Sequence, residues 1–330
     1  MKNIVVVTTS YPRHAGDAEG HFIGAEVRRL CGEARVSVLA PGCDRSALWG
    51  ERVIGLPGGD AFGFPGALEK LRHSKRHLLG ASRFVLAASD WLRRAPLPDR
   101  VIAHFLLPCG VPVATRGLQG RSTELEVVVH GSDARLFARL PAVRAHLGRE
   151  LLRAGARLRF VSSELRELVL HSLPAEQHAS LAATSRIEPS PIDLYGVPAK
   201  LEARRRLQLD PRSKLAVIVA RLVPGKRVAV ALEACRRVPS LGCYVIGDGP
   251  ERVQLTSRFP QAHFVGHVER PVALSYIAAA DVLVSASLQE GAPSAIREAR
   301  ALGTPVVCLD AGDLQSWAAN DPGLSIAQPR

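Results

Sequence analysis

Long apolar runs are missing from this chain of 330 residues. Nowhere do about 18 apolar residues stand in a row, which excludes a transmembrane helix. The opening Met1-Lys2-Asn3-Ile4-Val5-Val6-Val7 is too short an apolar run for a signal peptide and no small-residue cleavage site follows it, so a first strand is expected there. Cys-x-x-Cys is also missing. The six cysteines, at 31, 43, 109, 235, 243 and 308, are scattered, several of them inside apolar strand-like runs. That spacing supports neither a zinc site nor a disulfide framework and points to a reducing cytoplasm. No low-complexity tract or short repeat occurs. The first strand is not followed by Gly-x-Gly-x-x-Gly, so a dinucleotide is not expected at the first turn. Negative charge is in short supply: 43 Lys and Arg face 31 Asp and Glu, a net charge of +12. Residues 1–190 hold 26 cations against 18 anions, and residues 191–330 hold 17 against 13. Such an excess suits phosphorylated substrates, an anionic membrane surface or a nucleic acid. An Arg-rich compositional bias accounts for it equally well. No aromatic platform or nucleic-acid motif accompanies the charge, so no nucleic-acid partner is expected.

What is present reads as two domains. A chain of this length can bury two cores, and 47% hydrophobic with 22% charged residues is ordinary globular composition. Apolar strand-like runs alternate with helical patterns. Strands are expected over 4–8, 36–40, 101–105 and 127–129, with 159–161 as the last of the first half, and a helix over 21–30. Pro189-Ser190-Pro191-Ile192-Asp193 breaks the pattern as a linker. Beyond it come a basic helix over 201–207 and strands over 215–220, 243–246, 263–265 and 282–285. Further helices are expected over 274–280 and 294–302. The expected fold is therefore α/β, with two Rossmann-like domains, residues 1–189 and 190–330, whose parallel sheets face a central cleft.

The chemistry concentrates at the carboxyl ends of these strands. Glu290-Gly291-Ala292-Pro293-Ser294 lies on a strand-to-helix turn, where free backbone N–H groups and the positive helix end suit a phosphate. Glu298 follows about two helical turns after Glu290, so both carboxylates can face one cleft. Arg221 and Lys226 sit on the turn after 215–220, Arg as a fork and Lys as a point charge for phosphate oxygens. Gly247-Asp248-Gly249-Pro250 is a tight turn at another strand end. In the first half, His130 ends a strand and leads into Gly131-Ser132-Asp133, a position that favours function over the structural role a lone histidine usually has. Gly20, before the first helix, can let a phosphate or sugar approach the backbone, although ordinary turn chemistry also explains it. Residues 67–94 form a basic stretch carrying Phe84 and Trp91, which can lie on an anionic bilayer or be an ordinary solvated helix face.

Taken together these residues resemble the GT-B glycosyltransferases of the large retaining family 4. The resemblance spans nearly the whole chain. Its most specific part is Glu290-x₇-Glu298 within Glu-Gly-x-Pro-x-x-x-x-Glu-Ala. Ala-Arg-Leu-Val-Pro-Gly-Lys at 220–226, Gly-Asp-Gly-Pro at 247–250, Ala-Ala-Asp-Val at 279–282 and Gly-Thr-Pro-Val-Val at 303–307 support it. So do Ser-Tyr-Pro at 10–12, Gly-His-Phe at 20–22 and His-Gly-Ser-Asp at 130–133. The resemblance implies an acceptor-binding first domain and a second domain that binds a nucleotide-sugar donor. Arg221 and Lys226 would grip the donor diphosphate and stabilise the leaving nucleotide. The turn Gly291, Ala292, Pro293 and Ser294 would add backbone donors, and Gly249 and Gly20 would lie by the donor. Glu298 would hold the ribose hydroxyls, Glu290 would contact the transferred sugar, and His130 would meet that sugar from the opposite domain.

Transfer with retention, by a front-face route in which a donor phosphate oxygen takes the acceptor proton, would follow. No cofactor and no metal are implied, since the two cations replace a metal's charge and no Asp-x-Asp occurs at a strand end. The acceptor would be a glycan, a small molecule or a lipid-linked glycan at the inner membrane face, in cell-envelope polysaccharide or glycolipid synthesis. Two features depart from the family pattern. Ser190-Pro191-Ile192-Asp193 stands where Asn-Gly-Val-Asp is usual. Family members also continue for several dozen residues past 323–326 and cross back to the first domain, so the second domain is expected to be shortened. A GT-B epimerase or phosphorylase and a non-catalytic nucleotide-sugar-binding scaffold subunit are the competing readings.

Overall fold

The computed structural model describes residues 1–63, 70, 74, 76–114 and 122–328. The chain divides into two compact units, one of Met1–Ala15 and Glu19–Pro191, the other of Gly16–Ala18 and Ile192–Arg330.

The first unit is built on seven strands: β1 (Lys2–Val7), β2 (Ala34–Pro41), β3 (Arg52–Leu56), β4 (Arg100–His104), β5 (Glu124–Val129), β6 (Arg157–Phe160) and β7 (Ser185–Ile187). They form one sheet in the order β3-β2-β1-β4-β5-β6-β7. Every pairing in it is parallel. Covered on both faces, the central strands read as unbroken apolar runs, as in the fully buried Val127-Val128-Val129. The expectation that residues 159–161 end this sheet is corrected by β7. Its Ser-Arg-Ile is too short and too exposed to leave an apolar signature. Among the described residues its longer helices are α1 (His21–Cys31), α2 (Arg76–Arg94), α3 (Ser132–Ala138), α4 (Pro141–Arg153), α5 (Ser163–Ser172) and α6 (Ala175–Ala183).

The basic stretch of residues 67–94 lies partly outside the described residues, at 67–69, 71–73 and 75. Within α2, Gly80, Phe84, Ala88 and Leu92 recur every fourth residue and are buried. The fully buried Phe84 is thus a core residue and not a membrane anchor. Leu78, Leu79 and Leu86 are the exposed apolar side chains of this helix. No described helix is long and apolar enough to cross a membrane.

The second unit has six strands: β8 (Lys214–Val219), β9 (Leu241–Ile246), β10 (His263–Gly266), β11 (Val282–Ser285), β12 (Val306–Cys308) and β13 (Leu324–Ile326). They are ordered β10-β9-β8-β11-β12-β13 and all pair in parallel. The helices are α7 (Lys200–Arg206), α8 (Val228–Arg236), α9 (Arg252–Arg258), α10 (Arg270–Ala279), α11 (Ser294–Ala301) and α12 (Leu314–Ala318). Side chains alternate along β8. Leu215 and Val217 pack with Leu274, Ile277, Ile296 and Ala299. Ala216 and Ile218 pack with Val228, Leu232, Cys235 and Leu255 on the other face.

In each sheet the strand order reverses once. The reversal falls between β1 and β4 in the first unit and between β8 and β11 in the second. The connections leaving the two strands of such a pair run to opposite faces, which opens a crevice at their carboxyl ends.

Candidate functional site

The reversal in the second unit brings together the two loops that the sequence singles out. Strand β8 ends at Val219 and β11 at Ser285, so the loops carrying Arg221 and Lys226 and the loop carrying Glu290 leave the sheet side by side. They are tied at two points. The Leu288 N–H donates to Gly225 O at 2.9 Å, and Lys226 Nζ stands 2.5 Å from Glu290 Oε1. Both partners of the ion pair are largely screened from water, with side chains 24% and 11% exposed. Pro224–Lys226 is a single 3₁₀ turn, and Arg227 follows it in the left-handed region at φ 48°. That reversal of direction turns the chain into α8. Arg221 is exposed on the same loop.

The Gly247–Gly249 turn packs beneath this loop. Leu222 N–H donates to Asp248 O at 2.9 Å, continuing the β8–β9 pairing past the strand ends. A Cβ on Gly249 would lie 2.4 Å from Leu222 O, and one on Gly247 would lie 2.0 Å from Ala220 O. Gly247 also has φ +131°. Both glycines are therefore needed for backbone to meet backbone under the cation loop. Asp248 bonds its neighbour's N–H, Gly249 N, at 2.7 Å and Arg252 Nη1 at 2.9 Å.

Gly291, Ala292 and Pro293 lead into α11, which starts at Ser294 as expected and ends at Ala301. Pro293 supplies no side-chain cap. The first helical bond runs from Arg297 N to Pro293 O. The N–H groups of residues 294–296 thus stand ahead of the helix ladder, as an anion site requires. Glu298 lies one turn inward and is buried. It does not stand free: Arg270 Nη1 lies 2.5 Å from its Oε1, and Arg270 Nη2 donates to Asp193 O at 2.9 Å. Burial lowers Arg297, against which the neighbouring Glu298 acts. Each glutamate of the Glu-x₇-Glu pair therefore has its own cation, Lys226 for Glu290 and Arg270 for Glu298. The sequence reading contains no role for Arg270, which opens a different helix and carries no motif of its own.

In the first unit, His130 follows β5 and His104 ends the adjacent β4. His130 Nε2 lies 3.1 Å from His104 Nδ1, with the rings 21° from parallel. Phe22 and Phe105 flank His130 at 5.0 and 4.7 Å between ring centres. The buried Asp133 fixes the loop by accepting the N–H groups of Gly131 at 2.8 Å, His130 at 3.1 Å and Leu106 at 2.7 Å. Burial pushes the Asp133 carboxyl up, opposed by these bonds. Behind His104 stands a buried ion cluster that the sequence reading does not contain. His104 Nε2 is 3.9 Å from Glu26 Oε2, and Arg159 Nη2 is 2.6 and 2.7 Å from the two Glu26 oxygens. The Arg159 guanidinium also reaches Glu126 Oε1 at 2.8 Å. Gly20, with φ +68°, precedes α1, and a Cβ there would lie 2.8 Å from the backbone of Ser10 and Tyr11. Close packing within its own loop thus already requires glycine at this position.

Burial holds His104 well below the ordinary imidazole value, with Arg159 adding to the effect. His130 is likewise lowered by burial and by His104 and Arg159. Both rings are therefore neutral at pH 7. The sign of the consequence is definite. Below pH 6.5, the ordinary value, the unfolded chain takes up protons that the folded chain refuses, so stability falls as pH falls. The urea midpoint is expected to be lower at pH 5.5 than at pH 7.5, with a smaller difference in His104→Phe. An equal difference in the two proteins would show that the buried pair does not cause it.

Residues 213–329 match the family Glycosyl transferases group 1. The matched stretch lies within the second unit and spans most of it. The glycosyltransferase TuaC of Bacillus subtilis, described as putative and of teichuronic acid biosynthesis, is 31% identical over 229 residues, 66% of this chain and 55% of the relative. The stretches matched to the three curated relatives span 55%, 32% and 61% of their own lengths. Sucrose-phosphate synthase from Thermosynechococcus elongatus superposes with a TM-score of 0.73 at 17% identity, covering 96% of this chain and 83% of that one. Anabaena Alr3699/HepE, in complex with UDP and glucose, gives 0.65 at 16% identity, covering 96% and 82%. The chain has the GT-B fold, with the two parallel-sheet domains expected from the sequence.

Proposed function

We propose that this protein is a glycosyltransferase that moves a sugar from a nucleotide-sugar donor to a glycan, small-molecule or lipid-linked acceptor, with retention at the anomeric carbon. The observation that carries the reading is the crevice between β8 and β11. There one loop presents Arg221 and Lys226, and the other leads through Glu290 to the uncapped start of α11. Cations and helix N–H groups stabilise charge that grows on a departing nucleoside diphosphate, and such preorganised donors are usually the largest catalytic contribution. On this reading the two cations supply the positive charge, and transfer needs no metal or cofactor. Glu298, held by Arg270, is placed to receive ribose hydroxyls through its remaining acceptor capacity, and Glu290 to contact the sugar. Gly249, Gly291, Ala292, Pro293 and Ser294 form the donor's backbone cradle. The UDP complex of HepE and the teichuronic acid relative support a nucleotide-sugar donor and a role in envelope polysaccharide synthesis. On this reading the reaction runs in the cytoplasm, with the inner membrane face as a candidate site of action and the basic stretch 67–94 as the candidate contact to anionic lipid.

Thermal denaturation with UDP and GDP tests the reading. A ligand that binds only the folded state stabilises it by about 2.7 kcal/mol at 100 times its Kd. One of the two nucleotides is therefore expected to raise Tm by several degrees, and its sugar conjugate to be hydrolysed or transferred. No shift with either, at millimolar concentration, would refute the donor site. A shift without transfer to any acceptor, in a protein that purifies with a second transferase, would replace catalysis by a binding role.

A further inference from the structure

The first unit contains a cavity of about 670 Å³ between α2 and α4, a volume within the ~300–1,000 Å³ usual for small-molecule sites. The pattern of α2 explains one wall. Gly80, Phe84, Ala88 and Leu92 face the core. Leu78, Ala81 and Ser82, spaced i, i+3 and i+4, form a second stripe that lines the cavity. Val143 and Leu147 of α4 form the opposite wall, and Leu136 of α3 lies between. The lining is apolar except for Ser82, Ser132, Asp133 and His146. The Asp133 carboxylate is already taken up by the N–H groups of Leu106 and Gly131. Such a lining offers a ligand apolar surface and few directional bonds, which suits a hydrocarbon better than a sugar or a nucleotide.

Leu78, Leu140 and Val143 are exposed, so the apolar lining continues out to the surface. Contiguous apolar surface of this kind marks an interaction site. Two exposed cations border it: Arg83 follows Ser82, and Arg139 precedes Leu140. Neither guanidinium has an ion pair among the described residues. An apolar cavity with unpaired cations at its mouth is complementary to an amphiphile, a hydrocarbon chain that carries an anion. The loops after β4 and β5 supply Leu107, Pro108 and Ser132 to the lining. The cavity therefore lies at the carboxyl side of the sheet, the side on which the crevice of this unit opens.

We propose that this cavity receives the hydrocarbon chain of a phosphate-linked lipid acceptor, with Arg83 and Arg139 meeting the phosphate at its mouth. The word acceptor rests on the proposed function; the chain site does not, and the two are tested separately. Each buried methylene multiplies affinity by about fourfold, so the chain supplies most of the binding.

Titration calorimetry of the full chain with farnesyl phosphate, below its micelle concentration, tests the site. Binding is expected, with none detected for inorganic phosphate. Ser82→Trp and Ala142→Trp each place an indole in the cavity from an exposed position. Each is expected to raise Kd by about tenfold or more, the loss of two or three buried methylenes. Arg83→Ala/Arg139→Ala is expected to weaken farnesyl phosphate but not farnesol. No binding by the wild type, or an unchanged Kd in both Trp variants, overturns the proposal. Binding to anionic phospholipid vesicles with none to farnesyl phosphate also overturns it, since the face would then rest on a bilayer without taking up a chain. If the Trp variants do not fold, NOEs in the wild type between the farnesyl methyls and the methyls of Leu136 and Leu147 decide, and their absence overturns it. Farnesyl phosphate bound by a protein that binds no nucleotide would leave the chain site standing and sink only the donor reading.

Discussion

Replacing Lys226 with Ala is expected to lower kcat/KM for the donor by about 10²–10³-fold, the usual cost of removing one preorganised charge from a transition state. The structure gives a reason to expect the upper part of that range. Lys226 does not wait unpaired; its ammonium neutralises Glu290 at 2.5 Å in a site mostly closed to water. Lys226→Ala therefore removes a cation and also leaves a carboxylate beside the proposed position of the diphosphate. The remaining negative charge would repel the donor in the ground state as well, so KM is expected to rise and kcat to fall. Glu290→Gln keeps the lysine and is expected to be the milder change for nucleotide binding. The double variant Lys226→Ala/Glu290→Gln should recover part of the lost nucleotide affinity without recovering kcat. Steady-state kinetics and titration calorimetry with the nucleotide separate these effects. A Lys226→Ala protein with unchanged turnover would remove the lysine from the mechanism.

The crevice between β8 and β11 is largely legible in the sequence, and its legibility has a physical cause. Turns at the carboxyl ends of parallel strands must be short and must bring backbone close to backbone, so they carry glycines at fixed offsets. Gly247 and Gly249, whose Cβ atoms would collide with Ala220 and Leu222, are such positions. The Glu290–Glu298 spacing likewise follows from one loop and one helix. What the sequence does not reveal is pairing between elements. Arg270 reaches Glu298 from 28 residues away, at the start of a helix whose local pattern gives it no special place. Nothing local marks the bond.

The ion cluster of the first unit is a different case, because its signal is present and reads as ordinary. Glu26 falls on the buried face of α1 with Ile23, Val27 and Leu30, a position where an amphipathic helix carries an apolar residue. Glu126 interrupts the apolar run of β5, and Arg159 that of β6. A charge at each of three core positions, with carboxylates and a guanidinium that can pair among them, is the pattern to look for. Periodicity alone averages it away. The same holds for His104: it stands at a strand end in the sequence, but only the β4–β5 pairing shows that it stands beside His130.

That cluster carries the largest stability prediction. Arg159 is 1% exposed and bonds both Glu26 and Glu126. Burial alone would lower its pKa, and the two carboxylates more than offset this, so the guanidinium stays charged. Arg159→Met removes that charge from beneath Glu26. Glu126 keeps Arg100 and Arg186, whereas Glu26 is left beside His104, 3.9 Å away, whose burial disfavours protonation. Breaking a buried pair by deleting one partner costs about 3–5 kcal/mol, because the other charge is left uncompensated. Against the ~5–15 kcal/mol that holds a native domain together, the loss is large. Arg159→Met is therefore expected to lower the urea midpoint sharply, followed through Trp49 and Trp91 of the first unit in a Trp317→Phe background. Adding Glu26→Gln should return most of the stability, since no buried charge is then left alone and the apolar methionine fills the arginine's volume. If the double variant is no more stable than Arg159→Met, the cost lies in packing rather than in the unpaired carboxylate.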